Sequence, residues 1–267
     1  MVSASQAFIH KPTVEFSSLT LKALPNIPLI APGDHLGTII LEAINNTHLS
    51  LASGDILVIA QKVVSKAEGR YQRLSDVKPS PRALATAKIV DKDPRLVELI
   101  LQESVEVVRQ APGVLIVESQ LGIVHANAGI DQSNIESRDE QVLLLPEAPD
   151  KSAAEIQRFL SDRLNIQLGI VISDSTGRAW RNGTTGIAIG VAGLPSVVDK
   201  RGQNDLFGRP LQTTEIGFAD EVASAASLLM GQANEACPVV LVAGFAPFHV
   251  DSSAKSLLRA RDKDLFR

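Results

Sequence analysis

The chain has 267 residues, of which 45% are hydrophobic and 4% aromatic, and a net charge of −4. That is enough apolar surface for one large or two ordinary domains, while the acidic balance and scarce aromatics argue against a general nucleic-acid binder or a single-strand stacking platform. The single cysteine, Cys237, excludes an intramolecular disulfide and a thiolate zinc cluster.

No apolar run approaches a membrane span, and Met1 to Val14 lacks a basic start followed by an uninterrupted apolar core. The reading is therefore a cytoplasmic protein with neither membrane nor nucleic acid as partner. From Ile27 the chain passes through Pro28, Leu29 and Ile30 to a Pro32-Gly33-Asp34 turn, then a Leu36, Ile39, Ile40, Ala43, Ile44 stripe at helical spacing. The branched run Ile56 to Ala60 predicts a buried strand that delivers Gln61, Lys62, Ser65 and Lys66 to its end. Pro79 and Pro81 mark a break. Asp93-Pro94 predicts a helix start, and Leu96, Ile100, Val105 and Val108 extend the stripe until Pro112 stops it.

Gly113 to Val117 and Leu121 to Val124 predict a hairpin feeding His125 to Asn134. After a Pro-rich stretch at Leu145 to Asp150, Ser152-x-x-Glu155 reads as a capping box before the stripe Ile156, Phe159, Leu160, Leu164. A strand at Leu168 to Ile172 leads into a loop, Ile172 to Gly183, that crowds Asp174, Ser175, Thr176, Gly177, Arg178 and Arg181. Short apolar runs at Ile187 to Val191 and Pro195 to Val198 precede a charged loop, Lys200 to Leu211. Phe218 to Met230 predicts a helix and Pro238 to Val242 a strand. The elements alternate without a strict βαβ rhythm, so the fold class is α+β. GxGxxG and GxxxxGK are both absent, which makes it neither Rossmann nor P-loop.

The polar clusters each follow an apolar run, where open sheets often place ligand groups. Asp131 and Asp174 offer hard oxygen ligands for Mg²⁺ or Mn²⁺, and Ser175 and Asn134 add neutral oxygens. Arg178 and Arg181 carry planar forks suited to phosphate or carboxylate, and Lys66 is a candidate phosphate cation. Turn capping for the aspartates, a solvated surface for the cations and a helix C-cap at Gly231 remain open alternatives. His125 reads as structural, and the histidines, His10, His35 and His249 among them, show no HxxxH spacing for zinc.

Four stretches in this order carry a resemblance: Val63-Val64-Ser65-Lys66-Ala67-Glu68-Gly69-Arg70, Asn127-Ala128-Gly129-Ile130-Asp131-Gln132-Ser133-Asn134, Asp174 to Arg181, and Ala219-Asp220-Glu221 through Gln232. From about Ile27 to Gly244 the chain resembles the coenzyme F420-0:L-glutamate ligase (F420 γ-glutamyl ligase) family. The resemblance implies a GTP-dependent amide ligase that attaches L-glutamate to the lactyl carboxylate of F420-0 through an acyl phosphate. Some members add a further γ-linked glutamate. It also implies a single unit over 1–267 of two packed subdomains, the middle region of about 80–215 forming one, and an intertwined homodimer.

By motif position, Asp131 and Asp174 would hold one divalent cation and Ser175 and Gln232 a second, with K⁺ a further candidate. The nucleotide would meet Ile27, Pro28, Leu29, Ile30, Gln61, Lys62, Lys66, Asn134 and the stretch Met230, Gly231, Gln232, Ala233, Asn234, Glu235, Ala236, Cys237. Lys66, Arg178 and Arg181 would supply catalytic positive charge. The last strand departs from the family pattern, since Ala243-Gly244 stands where relatives often carry Arg-Gly. A related ligase acting on another carboxylate, and a silent nucleotide-binding regulator, are the alternatives.

Overall fold

The computed structural model describes residues 18–47, 49–133, 140–250 and 252–265, so Asn134, His10 and Met1 to Val14 lie outside the described residues. In chain order the helices and strands are β1 (Thr20–Ala23), α1 (Leu36–Thr47), β2 (Ile56–Ala60), α2 (Gln61–Ala67), β3 (Tyr71–Arg73), α3 (Pro81–Val90), α4 (Pro94–Gln102), β4 (Ser104–Ala111), β5 (Val114–Ser119), β6 (Val124–Ala126), β7 (Gln141–Leu143), α5 (Pro149–Leu164), β8 (Gly169–Arg178), β9 (Arg181–Ala192), β10 (Val198–Asp199), β11 (Glu215–Ile216), α6 (Phe218–Met230) and β12 (Val239–Ala243). None of the described helices is long and apolar enough to cross a membrane. Helices and sheets coexist as expected for α+β.

A five-stranded sheet in the order β1-β12-β2-β8-β9 forms the centre. Only β2 and β8 run parallel, pairing Ile56 with Gly169 through Ala60 with Ser173. Each inner strand buries both faces. Leu57, Ile59, Ile170, Ile172 and Leu241 face a core with α1 and α5, while Ile56, Val58, Val171, Val240 and Val242 face one with α6. Complete burial of such a side chain contributes about 2 kcal/mol, and the branched residues suit the pleat.

Helix α6 lies directly on β9: a Cβ placed on Gly186 would stand 2.5 Å from the Ala223 carbonyl oxygen. Helix α5 approaches as closely, since a Cβ on Gly190 would meet the Pro149 carbonyl oxygen at 2.5 Å. The helix starts also reach the backbone of β9. Asp220 accepts from the Ala188 amide at 2.8 Å, and Asp150 from the Val191 amide at 2.9 Å.

A separate core gathers residues between Leu74 and Leu144, including Val90, Val97, Ile100, Leu115, Val117 and Val142, whereas residues of β8 and β9 build the central sheet.

Three sequence expectations change. The stripe beginning at Leu96 does not stay helical to Val108: α4 ends at Gln102, and Ser104 to Ala111 pairs with β5. Val105, Val107 and Val108 favour an extended chain once a partner strand is present. The predicted hairpin exists as β5 with β6, but Leu121 to Ile123 form its turn and the second strand begins at Val124. Ser152 caps nothing. Pro149 fixes a helical φ and starts α5 three residues earlier, and the Ser152 hydroxyl donates instead to Glu68 at 2.6 Å.

Candidate functional site

The parallel pair β2 and β8 explains why polar groups distant in sequence meet. Their parallel pairing ends where Ala60 stands opposite Ser173; β2 stops there while β8 runs on, so Gln61 and Lys62 emerge beside Asp174. β12 runs the other way and begins at this end, with the Ala60 amide donating to the Pro238 carbonyl at 2.8 Å. β1 finishes here too, its next residue Leu24 donating to Val239 at 2.8 Å. One end of the sheet thus receives the 27–30 segment, the start of α2, the middle of β8 and the 230–238 connection.

These pieces enclose a cleft of about 600 Å³. Its lining includes Ile27, Pro28, Leu29, Ile30, Gln61, Lys62, Lys66, Asp131, Asp174, Ser175 and every residue from Met230 to Cys237. The structure therefore brings together all the nucleotide and metal candidates that lie within the described residues. Lys62 and Lys66 sit one turn apart on α2 and share a face. A smaller cavity of about 360 Å³ lies beside Arg70, where the Arg70 guanidinium pairs with Glu103 at 3.1 Å; neither paired aspartate lines it.

Asp174 is not in a loop. The stretch read as a loop, Ile172 to Gly183, is a continuous hairpin in which Asp174 pairs with Ile187 and the strands run on to Arg178 opposite Arg181. Ser, Asp and Gly are poor strand formers, and pairing with β9 overrides them. A bulge between Ile172 and Ser173 changes the register just before Asp174, the kind of irregularity that re-aims side chains.

The same hairpin takes Arg178 and Arg181 to an exposed tip, and neither lines the cleft. Arg178 stands four strand steps from Asp174, about 13 Å at ordinary strand rise. The expectation that these arginines stand with the aspartates is corrected within one chain.

Asp131 arrives from the other core. A single-residue bridge pairs it with Leu143, whose strand β7 pairs with Tyr71 of β3. Burial acts to raise its carboxyl, but Lys62 and the Ser133 amide and hydroxyl outweigh that and hold it below the ordinary value. Asp174 behaves oppositely. It keeps some surface open to the cleft but is crowded by protein, and burial, reinforced by the negative charge of Asp131, pushes its carboxyl up to about 6 against the Ser175 amide, Lys62 and the Gln61 side chain. Gln61 is held in turn by the Ser65 hydroxyl, which donates to its Oε1 at 2.9 Å.

Two neighbouring carboxylates are eased by positive charge, which Lys62 supplies with its ammonium 2.6 Å from Asp131 Oδ2. Among the described residues no three His, Cys, Asp or Glu gather, so a metal here would rest on Asp131 and Asp174 with hydroxyl and amide oxygens from Ser175 and Gln232. An all-oxygen donor set fits Mg²⁺ or Mn²⁺ and not a soft metal.

Gly231 ends α6 with φ 70° and ψ −172°, a backbone conformation that glycine adopts and other residues resist, so the turn favours glycine. Glu235 accepts from the Ala233 amide at 2.8 Å. Sequence reading missed Tyr71, Ser173 and Ser227 as lining residues. For Ser227 a signal existed, a hydroxyl in the last turn of α6, which otherwise holds Leu228, Leu229 and Met230; for Tyr71 none did, because its place depends on the β3-β7 pairing.

The F420-0:Gamma-glutamyl ligase family profile matches residues 25–244. The chain is similar to the coenzyme F420:L-glutamate ligase of Methanothermobacter thermautotrophicus, 45% identical over 93% of this chain and 99% of the relative. It is also similar to that of Methanopyrus kandleri, at 41% over 94% and 98%, and to that of Archaeoglobus fulgidus, at 37% over 90% and 93%.

Proposed function

From the premise that the chain belongs to the F420-0:gamma-glutamyl ligase family, we propose that it joins L-glutamate to the lactyl carboxylate of F420-0 using GTP. The observation that carries this reading is the meeting of Asp131 and Asp174 with Lys62 and Lys66 in one cleft. Its volume, about 600 Å³, lies within the range of small-molecule sites.

A carboxylate resists amines because its oxygen is a poor leaving group. In this reading the lactyl carboxylate oxygen bonds to the γ-phosphorus as the bond to GDP breaks, giving an acyl phosphate. The glutamate amine then attacks the acyl carbon, and inorganic phosphate leaves. Divalent cations, when bound, neutralise the charge on the transferring phosphoryl group. Asp131 and Asp174 would hold one, Ser175 and Gln232 a second. Lys66 would take phosphoryl oxygens, and the 27–30 and 230–237 segments would enclose the nucleoside. A γ-linked second glutamate would repeat the chemistry on the first product.

The homodimer belongs to the same reading. Arg178 and Arg181 stand away from the cleft of their own chain, and the β8-β9 tip carries Trp180 at 80% exposure. The 200–211 arm adds Leu206 at 86% and Phe207 at 74%. Large apolar side chains so exposed favour a contact surface, and a second copy would bring the guanidinium groups of one arm toward the cleft of the other.

The test is direct. Purified chain with F420-0, L-glutamate, GTP and Mg²⁺ or Mn²⁺ is expected to yield a product heavier by one glutamyl residue and to release GDP only when glutamate is present. An unchanged F420-0 mass under these conditions would overturn the substrate assignment. GTP binding without glutamate-dependent GDP release would turn the reading into a silent nucleotide binder.

A further inference from the structure

Lys62 reaches out of α2 to oxygens of Asp131 and Ser133, the latter 71 residues away in sequence. Its ammonium lies 2.6 Å from Asp131 Oδ2 and donates to the Ser133 carbonyl at 3.1 Å and the Ser133 hydroxyl at 3.0 Å. An ammonium has three N–H donors, and here each meets one oxygen. Ser133 is itself locked in place: its amide and its hydroxyl donate to Asp131 Oδ1 at 2.7 and 2.8 Å. The result is a seat for a cation built from a carboxylate, a carbonyl and a hydroxyl. Those are the ligand types that a hard divalent cation takes, and Asp174 adds a second negative charge beside it.

On the reading that this cleft binds a divalent metal, we infer that Ser133 is a further cation ligand, through its carbonyl and hydroxyl oxygens, and that the Lys62 ammonium is the resident cation of this seat until the metal displaces it. Lys62 is then a positioning residue with two states. Seated, it keeps the two carboxylates from repelling each other and holds the 131–133 segment to α2. Displaced, it frees Asp131 for the metal and leaves its charge at the edge of the cleft, where anionic oxygens of a nucleotide would receive it. Metal loading and lysine release are one exchange of cations, so the empty cleft stays ordered without metal.

The exchange has a measurable consequence in the absence of any substrate. A seat occupied about nine-tenths of the time by its own lysine lowers apparent metal affinity about tenfold. Mn²⁺ binding to the full chain, followed by electron paramagnetic resonance and by calorimetry, is therefore expected to tighten about tenfold in Lys62→Met, a substitution that keeps the stem length and removes the charge. Lys62→Arg, which keeps the charge, should bind as weakly as the unaltered chain. Lys66→Met removes an equal charge one turn away and should change affinity far less. Ser133→Ala placed on Lys62→Met should lose part of the gain, and the gain should vanish altogether when Asp131→Asn is added.

An unchanged Mn²⁺ affinity in correctly melting Lys62→Met would overturn the inference. So would an equal gain in Lys66→Met, which would make the effect one of overall field, and so would absence of Mn²⁺ binding at millimolar concentration in every variant. Because the readout is metal affinity, failure of the ligation assay leaves it standing, and failure here leaves the ligase assignment to its own test.

Discussion

The inner and outer halves of the β8-β9 hairpin share one hydrogen-bonded ladder yet are held by different means. From Gly169 to Asp174, and from Gly186 to Ala192, the strands lie between two helical layers, and glycine is required at Gly186 and Gly190 because helix backbone occupies the space of a side chain. Beyond Thr176 and its partner Thr185 the same strands stand in solvent, and nothing lies within 4 Å of a Cβ placed on Gly177 or Gly183. Asp174 lies just inside the transition. The comparison teaches that packing fixes where the carboxylate stands, whereas the far half is free to carry residues for another purpose.

The largest effect should come at the junction. Asp174→Ala is expected to lower ligation about 100-fold or more while leaving the melting temperature near that of the unaltered chain, read by product formation and a thermal scan. If activity survived at saturating Mg²⁺ or Mn²⁺, the junction would be a structural boundary and nothing else.

Acid should attack the inner half through its neighbour. His125 of β6, which packs beside β8, is buried, and burial pushes its imidazole down to about 4, with no hydrogen-bond partner for Nε2 among the described residues. The unfolded chain takes up that proton near pH 6.5 and the folded chain only near 4, so the neutral ring's contribution is complete above 6.5 and is lost as pH falls between them. The loss approaches about 3 kcal/mol. Denaturant melts from pH 7 to 4 should show it, and His125→Leu should flatten that part of the profile.

Gly190→Ala should cost about 2 kcal/mol or more, since the added methyl strikes the Pro149 carbonyl, and would show as a lowered denaturation midpoint. Arg178→Ala should change the stability of one chain by less than about 0.5 kcal/mol, yet slow ligation if the arm serves a second copy. Gly177→Ala is the smallest: its φ is ordinary and its surroundings are open, so a gain of about 0.5 kcal/mol is expected from the stiffer unfolded chain. Equal costs at Gly177 and Gly190 would erase the distinction between the halves.

Much of the sheet was legible because its strands announce themselves. Ile56 to Ala60 and Pro238 to Val242 are branched runs, and the structure has strands at Ile56–Ala60 and Val239–Ala243. Phe218 to Met230 keeps helical spacing and forms α6. What failed was decided by partners. Val105 and Val108 fit a helical stripe as well as a strand, and only pairing with β5 chooses between them. The Asp174 segment has the composition of a turn and becomes a strand because β9 runs beside it. Within the site, the two aspartates stood out by following apolar runs, but the contact of Lys62 with Ser133 spans 71 residues and had no local signature.

The sheet's outer border at β9 has one more consequence. Asp220 and Asp150 occupy the Ala188 and Val191 amides, and a stray extended segment arriving from solvent finds those donors already spent. An edge strand with open amides is an invitation to fibre growth. Here the starts of two helices close that border, and Asp150 also accepts from the Ser253 hydroxyl and the Ala254 amide, so exchanging it for alanine would unpair donors on the 253–254 segment as well as the edge amide of β9.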